Sequence, residues 1–157
     1  NKKYLKERPE EVKNILSKLI SSDNLIQKIL PLIIERISTT KEIEYILNEG
    51  EFSFLKTPIY EKEKLIWKES NDVNAKQHLS KINELIKNSP DSIFESVENI
   101  KSTIWDYAEM EGRGNVLWPM RYSLSGKDKS PDPFTLAYIL GKEETLKRIS
   151  TAIDKLK

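Results

Sequence analysis

The stretch GRGNVLWPMRYSLSGKDKSPDPFTLAYILG, residues 112–141, sets the backbone path of this chain. It contains four of the five glycines and three of the seven prolines of the sequence, whereas the residues before it follow generic amphipathic patterns. Glycine permits backbone angles that other residues avoid, and proline fixes φ and removes a hydrogen-bond donor. We therefore expect a defined path between two helical regions, with Arg121 in its middle and Trp118 and Tyr122 close by.

The composition is typical of a folded, water-soluble protein. The chain has 157 residues, of which 38% are hydrophobic and 32% are charged, enough for one domain or two small subdomains. No apolar run approaches the roughly 20 residues that span a bilayer. The absence of cysteine excludes disulfides and agrees with a reducing, cytoplasmic location. Because the chain begins with Asn1 and has no signal-peptide pattern, we expect it to be a piece of a longer protein.

Apolar residues at intervals of three and four predict that the chain is all-α, with roughly eight to ten helices. Phe52 and Phe54 alternate as in a strand, but no comparable partner run exists. We assign them to an irregular segment whose aromatic side chains fill the helical core. Residues 89–91, Ser-Pro-Asp, are predicted to end one helix and to start another that reaches Tyr107.

Two helices are predicted at the end of the chain. Pro133 to Leu140 is read as one helix closed by Gly141, and an amphipathic helix follows it. Its outer face is predicted to carry Lys142, Lys147, Arg148 and Lys155.

Signatures of catalysis are absent from the sequence. No phosphate-binding GxxxxGK[ST], GxGxxG, HExxH or GxSxG pattern occurs. His78 is the only histidine, without a second histidine or a cysteine to complete a metal site, and we expect it on the surface or lightly packed. These observations favour a binding module over an enzyme.

The punctuated stretch resembles the C-terminal signature of bacterial glutamyl-tRNA synthetases. The family pattern is Pro-Leu-Arg-x-Ala-Leu-Thr-Gly, a short loop, Ser/Thr-Pro, an apolar helix, Leu-Gly-Lys-Glu and Arg-Ile/Leu. This chain has Pro119-Met120-Arg121-Tyr122-Ser123-Leu124-Ser125-Gly126, then Ser130-Pro131, Leu140-Gly141-Lys142-Glu143 and Arg148-Ile149, without gaps. The chain departs from the pattern at Trp118, Met120, Ser123, Ser125 and Pro133, where the family more often has Gln/Met, Leu, Ala, Thr and Leu.

Two further segments resemble the same family. Asn1-x-x-Tyr4-Leu5-Lys6 is similar to the segment that opens its anticodon-binding half. Residues 35–42, ERISTTKE, are similar to its Arg-x-x-Thr-Leu-Lys-Glu and are followed by an aromatic connector and Pro58-x-Tyr60. The resemblance therefore covers nearly the whole chain.

The resemblance implies the all-helical anticodon-binding region of the synthetase (the α-helix cage type), without its catalytic half. We expect one helical subdomain over residues 1–112 and a C-terminal subdomain with the anticodon-reading motif over residues 113–157. The expected partners are the anticodon loop of glutamate tRNA and the N-terminal catalytic domain of the parent chain, and we expect a monomer. The parent would use ATP and Mg²⁺ to attach glutamate, whereas this piece should bind no cofactor or metal and should be inactive alone.

The resemblance also implies which residues read the anticodon. By position, Arg121, Ser130, Pro131 and Pro133 would contact its first two bases, and Arg36 would read the third in enzymes restricted to glutamate tRNA. Unstacked loop bases can be read on their edges by arginine donors, and arginine offers a planar five-donor fork. Whether the parent also charges glutamine tRNA stays open, with Arg36 favouring the strict form.

Other interpretations stay open at this point. Arg121 could form a surface salt bridge, Ser130-Pro131 could be a helix cap and first turn, Arg36 could be a solvated helix residue, and Trp118 could belong to the core. A helical protein–protein interaction module would show no RNA affinity. A small enzyme would need a compact site that these residues do not assemble.

Overall fold

A computed structural model of the protein describes residues 9–157. Within this range, seven α-helices and three short 3₁₀ helices form the regular structure, and there is no strand. The all-α prediction is confirmed, and counting the two halves of the last, kinked helix separately gives a number within the predicted range. No helix in the described part is long and apolar enough to cross a membrane. The segment Asn1–Lys6, which carries one of the family resemblances, lies outside the described residues.

The chain divides into two compact units between Ser53 and Phe54. In the first unit, α1 (Pro9–Leu19) packs against α2 (Asp23–Arg36), and α3 (Glu42–Asn48) follows. The Ser22 hydroxyl caps α2 by accepting a hydrogen bond from the Leu25 amide. The apolar stripes predicted from the sequence form the buried side chains of this unit: Val12, Leu16, Ile26, Ile29, Ile33, Ile37, Ile43 and Phe52.

The second unit is built around its last helix. Its four α-helices are α4 (Asp72–Lys87), α5 (Val97–Glu111), α6 (Arg113–Ser125) and α7 (Pro133–Lys155), and α7 packs against the other three. Short 3₁₀ helices lie at Ser53–Leu55, Lys62–Leu65 and Asp91–Glu95. The predicted boundary between residues 112 and 113 lies inside this unit, at the turn from α5 to α6, and it stays a prediction.

One helix begins later than the sequence pattern predicted. The segment after Pro90 forms only a 3₁₀ helix, and α5 starts at Val97. The reason is Ser96, which has extended backbone angles and whose side chain accepts a hydrogen bond from the Asn99 amide. A side-chain cap of this kind satisfies an N–H group that the first helical turn leaves unpaired.

Gly141 divides α7 into two segments. Its backbone angles, φ 85° and ψ 167°, are not helical and lie where residues other than glycine are strained. The predicted break at this residue is confirmed. Directly after the break, the Lys142 ammonium donates to the Ser89 carbonyl at 2.9 Å and pairs with the Asp91 carboxylate at 2.8 Å. The turn of α7 is thereby tied to the end of α4.

Arg148 is buried, so its predicted place on the outer face of the last helix is wrong. Its guanidinium donates to the carbonyls of Phe54 and Leu124, both at 2.6 Å, and pairs with the Glu144 carboxylate at 2.7 Å. A more distant bond reaches the Leu55 carbonyl at 3.4 Å. A buried cation is costly unless it is hydrogen-bonded, and here carbonyls from distant segments supply the acceptors.

We expect Arg148→Met to lower the free energy of unfolding by about 3 kcal/mol, because it leaves buried carbonyl groups without donors. Lys147→Met is the matched control, since Lys147 is an exposed neighbour on the same helix and should change stability by less than about 0.5 kcal/mol. Urea unfolding of the three proteins measures both effects. Equal stability of the two variants would show that the buried hydrogen bonds contribute nothing.

Candidate nucleic-acid interface

The candidate site is the loop between α6 and α7, residues 126–132. The loop begins at Gly126, which ends α6 in the left-handed conformation (φ 67°, ψ 20°) and donates its N–H to the Tyr122 carbonyl at 2.7 Å. A Cβ at this position would lie 2.8 Å from the Cβ of Pro58. Both the backbone angles and the close approach of Pro58 therefore require glycine here.

Side-chain hydrogen bonds fix both ends of the loop. At its start, the Ser125 hydroxyl donates to the Arg121 carbonyl at 2.9 Å and accepts from the Lys127 amide at 3.2 Å. At its end, Asp132 caps α7 by accepting from the amides of Phe134 (3.0 Å) and Thr135 (2.9 Å). The loop thus runs between two capped helix ends.

Arg121 lies on α6 and reaches across to the loop. Its Nη2 donates to the Asp128 carbonyl at 2.9 Å, and its Cζ lies 5.2 Å from the centre of the Trp118 ring. Within residues 9–157 it forms no ion pair with a carboxylate, so the surface salt-bridge interpretation is wrong. The side chain is half-buried and lies against the loop that carries Ser130 and Pro131.

Three aromatic residues, Trp118, Tyr122 and Tyr60, pack in a row next to Arg121. The Trp118 indole N–H donates to the Lys64 carbonyl at 2.9 Å, and its ring lies 5.8 Å from that of Tyr122. The Tyr122 ring in turn meets Tyr60 edge to face at 5.6 Å. Pro58 and Tyr60 belong to the same segment, just before the 3₁₀ helix at residues 62–65. This segment therefore packs against the start of the loop.

Burial changes the titration of two of these rings. It raises the pKa of Tyr60 to about 12, and the hydroxyl of this residue has no hydrogen-bond partner among the described residues. Burial also raises the pKa of Tyr122, and the nearby negative charge of Asp128 and a hydrogen bond with its carboxylate act in the same direction. Both phenols are therefore neutral at physiological pH.

Ser130 and Pro131 lie in the loop, ahead of α7. The Ser130 hydroxyl donates to the Pro131 carbonyl at 2.8 Å, and both residues are half-buried. Asp132 is the helix cap and Pro133 the first helical residue, so the interpretation of Ser130-Pro131 as cap and first turn is wrong. Pro133 is buried and presents little surface to a ligand; its contact with a base stays a prediction.

The structure groups four of the five predicted site residues around one loop: Arg121, Ser130, Pro131 and Pro133. The fifth, Arg36, is the last residue of α2 in the first unit. Its Nε pairs with the Glu51 carboxylate at 2.6 Å, and both side chains are about 40% exposed. Arg36 is therefore an ion-paired residue rather than a merely solvated one.

Sequence reasoning missed the residues that hold Arg121 in place. Asp128 lies in the variable loop and acts through its backbone carbonyl, which no sequence pattern marks. Lys64 likewise contributes only a carbonyl. Tyr60 had a signal, since the Pro58-x-Tyr60 pair belongs to the family resemblance, but its contact with Tyr122 was not foreseen.

A pocket of about 390 Å³ lies elsewhere in the second unit and contains none of the predicted site residues. The Trp67 indole at its wall packs where a Cβ of Gly114 would be, and the Lys68 ammonium lies 4.7 Å from the ring centre. These contacts occupy the ring that a base would stack on. The remaining lining residues are polar: Glu69, Ser70, Asn74 and Asn115.

His78 is buried, so the expectation that it lies on the surface or is only lightly packed is wrong. Its Nδ1 lies 2.7 Å from the Tyr107 hydroxyl, and the two rings meet edge to face. Burial lowers the pKa of the imidazole, although the charge of Glu111 partly opposes this. Within residues 9–157 no cluster of three or more histidine, aspartate or glutamate side chains could hold a metal ion. His78 therefore serves packing between α4 and α5.

Almost the whole chain matches a family of anticodon-binding domains. The family model described as the anticodon binding domain covers residues 2–153. The chain therefore belongs to the anticodon-binding domain family. Among its relatives are the glutamate–tRNA ligase of Christiangramia forsetii, 31% identical over 92% of this chain and 28% of the relative, and that of Clostridium kluyveri, 33% identical over all of this chain and 33% of the relative.

A solved structure agrees with these relatives. The crystal structure of a glutamate tRNA ligase from Elizabethkingia meningosepticum in complex with its amino acid superposes with a TM-score of 0.76 at 30% identity. The superposition covers 100% of this chain and 31% of the chain of that ligase. The chain thus spans about a third of the length of the ligases that it matches, and the fold and family expected from the sequence are confirmed.

We expect the stability of the protein to fall as the pH drops below the ordinary histidine value of 6.5. The unfolded chain then binds a proton that the buried imidazole resists, because the folded-state pKa is the lower one. Above pH 6.5 this group should not affect the free energy of unfolding. The free energy of unfolding should decrease as the pH falls from 6.5 through the folded-state pKa of His78. Urea unfolding across this range should show a weaker pH dependence in His78→Gln; identical slopes in the two proteins would contradict the assignment.

Proposed function

We propose that this chain recognises the anticodon loop of glutamate tRNA on behalf of a glutamate–tRNA ligase. The observation that carries the proposal is the placement of Arg121, whose guanidinium donates to the Asp128 carbonyl in the loop of residues 126–132, the loop that also carries Ser130 and Pro131. Membership of the anticodon-binding domain family and the similarity to glutamate–tRNA ligases support it. These considerations favour RNA recognition over a protein–protein interaction module.

The chemistry of the loop suits the reading of unpaired bases. A guanidinium presents five N–H donors in a plane, and one of its nitrogens already donates to the Asp128 carbonyl. The other donors can reach acceptors on a base that is splayed out of its stack. Because both loop ends are capped, little conformational entropy is lost when a base docks.

The parent protein supplies what this chain lacks. We infer a catalytic domain N-terminal to it that uses ATP and Mg²⁺ to attach glutamate, in the cytoplasm, with the whole acting as a monomer. Binding of the anticodon loop by this chain would help to place the acceptor end of the tRNA in that domain. The role proposed for this chain is recognition.

Arg36 is the candidate for reading the third anticodon base. Its ion pair with Glu51 orients the guanidinium by one nitrogen, Nε, and the side chain is 40% exposed. The Nη groups carry the remaining N–H donors that a base would meet. This assignment favours a parent that is restricted to glutamate tRNA.

We expect Arg121→Ala to abolish discrimination between an anticodon stem-loop of glutamate tRNA and one with a changed second base. Loss of a base-reading arginine should cost about 1–3 kcal/mol for the cognate loop and little for the changed one. The measurement is binding of the chain to both loops by fluorescence anisotropy at two salt concentrations. Arg113→Ala is the matched control, since Arg113 is an exposed arginine at the other end of α6.

The outcomes separate base reading from electrostatics. Discrimination by the wild type and by Arg113→Ala, but not by Arg121→Ala, would support the proposal. Weak binding that ignores the sequence and vanishes at higher salt would reduce the interaction to phosphate contacts and contradict it.

A second prediction concerns Arg36 and the third base. Arg36→Ala should narrow the affinity difference between loops that differ only at the third anticodon base, by about 1–3 kcal/mol, and leave discrimination at the second base intact. Lys41→Ala, an exposed cation in the same unit, should change neither. If wild-type chain binds loops with either third base equally, the assignment of Arg36 is wrong.

A further inference from the structure

Trp118 occupies a position where the resemblance leads us to expect Gln or Met, and the structure gives it a specific set of contacts. Its indole N–H donates to the Lys64 carbonyl at 2.9 Å. Its ring faces the Arg121 guanidinium, with Cζ 5.2 Å from the ring centre. The ring thus lies between a fixed backbone acceptor on one side and the guanidinium of the candidate site on the other.

We propose that Trp118 is a positioning residue that holds the Arg121 guanidinium in the orientation in which it reads an anticodon base. The proposal rests on the function proposed above for Arg121. It adds that the reading arginine is oriented by an aromatic ring, which a glutamine or methionine side chain at this position could not provide.

The indole of Trp118 is itself fixed in place. The side chain is half-buried, and its one donor is used by the Lys64 carbonyl. The Tyr122 ring lies against it at 5.8 Å, and Tyr122 is in turn held edge to face by Tyr60. With its donor and one neighbour fixed, the indole has little rotational freedom.

The indole and the loop restrain the Arg121 guanidinium in two different ways. The ring attracts the cation through its π face and so limits the tilt of the guanidinium. The Asp128 carbonyl accepts a hydrogen bond from Nη2 and so limits its rotation within its own plane. Together they leave the remaining N–H groups pointing in set directions before any RNA arrives.

Such preorganisation of the guanidinium affects discrimination between bases more than general affinity for RNA. A free arginine side chain loses rotamer entropy when it is ordered on a base, and a guanidinium that is already held loses less. The gain is realised only when the base has acceptors at the matching places. Phosphate contacts made elsewhere on the chain do not depend on it.

The test is the ratio of affinities for the cognate stem-loop and the loop with a changed second base. Trp118→Gln removes the ring, and we expect the ratio to fall about two- to fivefold, the usual effect of one exposed cation–π contact. Trp118→Phe keeps a ring face without the indole N–H that fixes it and should give a ratio between those of the wild type and Trp118→Gln. Tm measured beside each variant shows whether the fold is intact.

A double-mutant cycle distinguishes positioning from a merely structural role. In the Arg121→Ala background, Trp118→Gln should cause no further loss of affinity for the cognate loop, because there is no guanidinium left to orient. An equal loss of cognate-loop affinity in both backgrounds, or a loss in the wild-type background that is the same for both loops, would overturn the proposal. So would a Trp118→Gln protein with the ratio of the wild type.

Failure of this inference can be told from failure of the proposed function. If the wild type discriminates and Trp118→Gln does so equally well, only the positioning role is wrong. If the wild type does not discriminate between the loops at all, both are wrong.

Discussion

The second unit depends on one buried cation. Arg148, on the second half of α7, donates to the carbonyls of Phe54 and Leu124 and pairs with Glu144 on its own helix. Leu124 lies in the last turn of α6, where carbonyl groups have no partner within the helix and carry partial negative charge. The guanidinium therefore closes the end of α6 and binds the start of the unit to its last helix with a single group.

The position of the loop follows from this interaction. Two residues after Leu124 the chain leaves α6 at Gly126, and Pro58, four residues after Phe54, packs on that glycine. The loop then returns to α7, the helix that carries Arg148. Both of its ends are thus attached to elements that the buried cation holds, and under the proposed function a base would meet groups already in place.

The sequence predicted the features that depend on neighbouring residues. It did not predict those that depend on contacts with backbone groups far away in the chain. Apolar periodicity predicted the helices, and Gly126 and Gly141 marked real changes of direction because each adopts a positive φ. Arg148 was misplaced because its neighbours Lys147 and Lys155 are exposed and nothing local distinguishes it from them. Its acceptor in Phe54 is 94 residues away. The candidate residues came from the family resemblance, and the contacts that orient Arg121 came only from the structure.

The near neutrality of the chain gives the loop its importance. A formal net charge of +1 provides little general attraction to phosphate, which supplies most sequence-independent affinity for nucleic acid. Positive charge near the loop is limited to a few side chains, among them the exposed Lys127 and Lys129. Under the proposed function, selectivity would then depend on how well oriented donors match the edges of particular bases. The contacts of the Arg121 guanidinium, a carbonyl at its edge and an indole at its face, would bear on that function more directly than the number of charges around it.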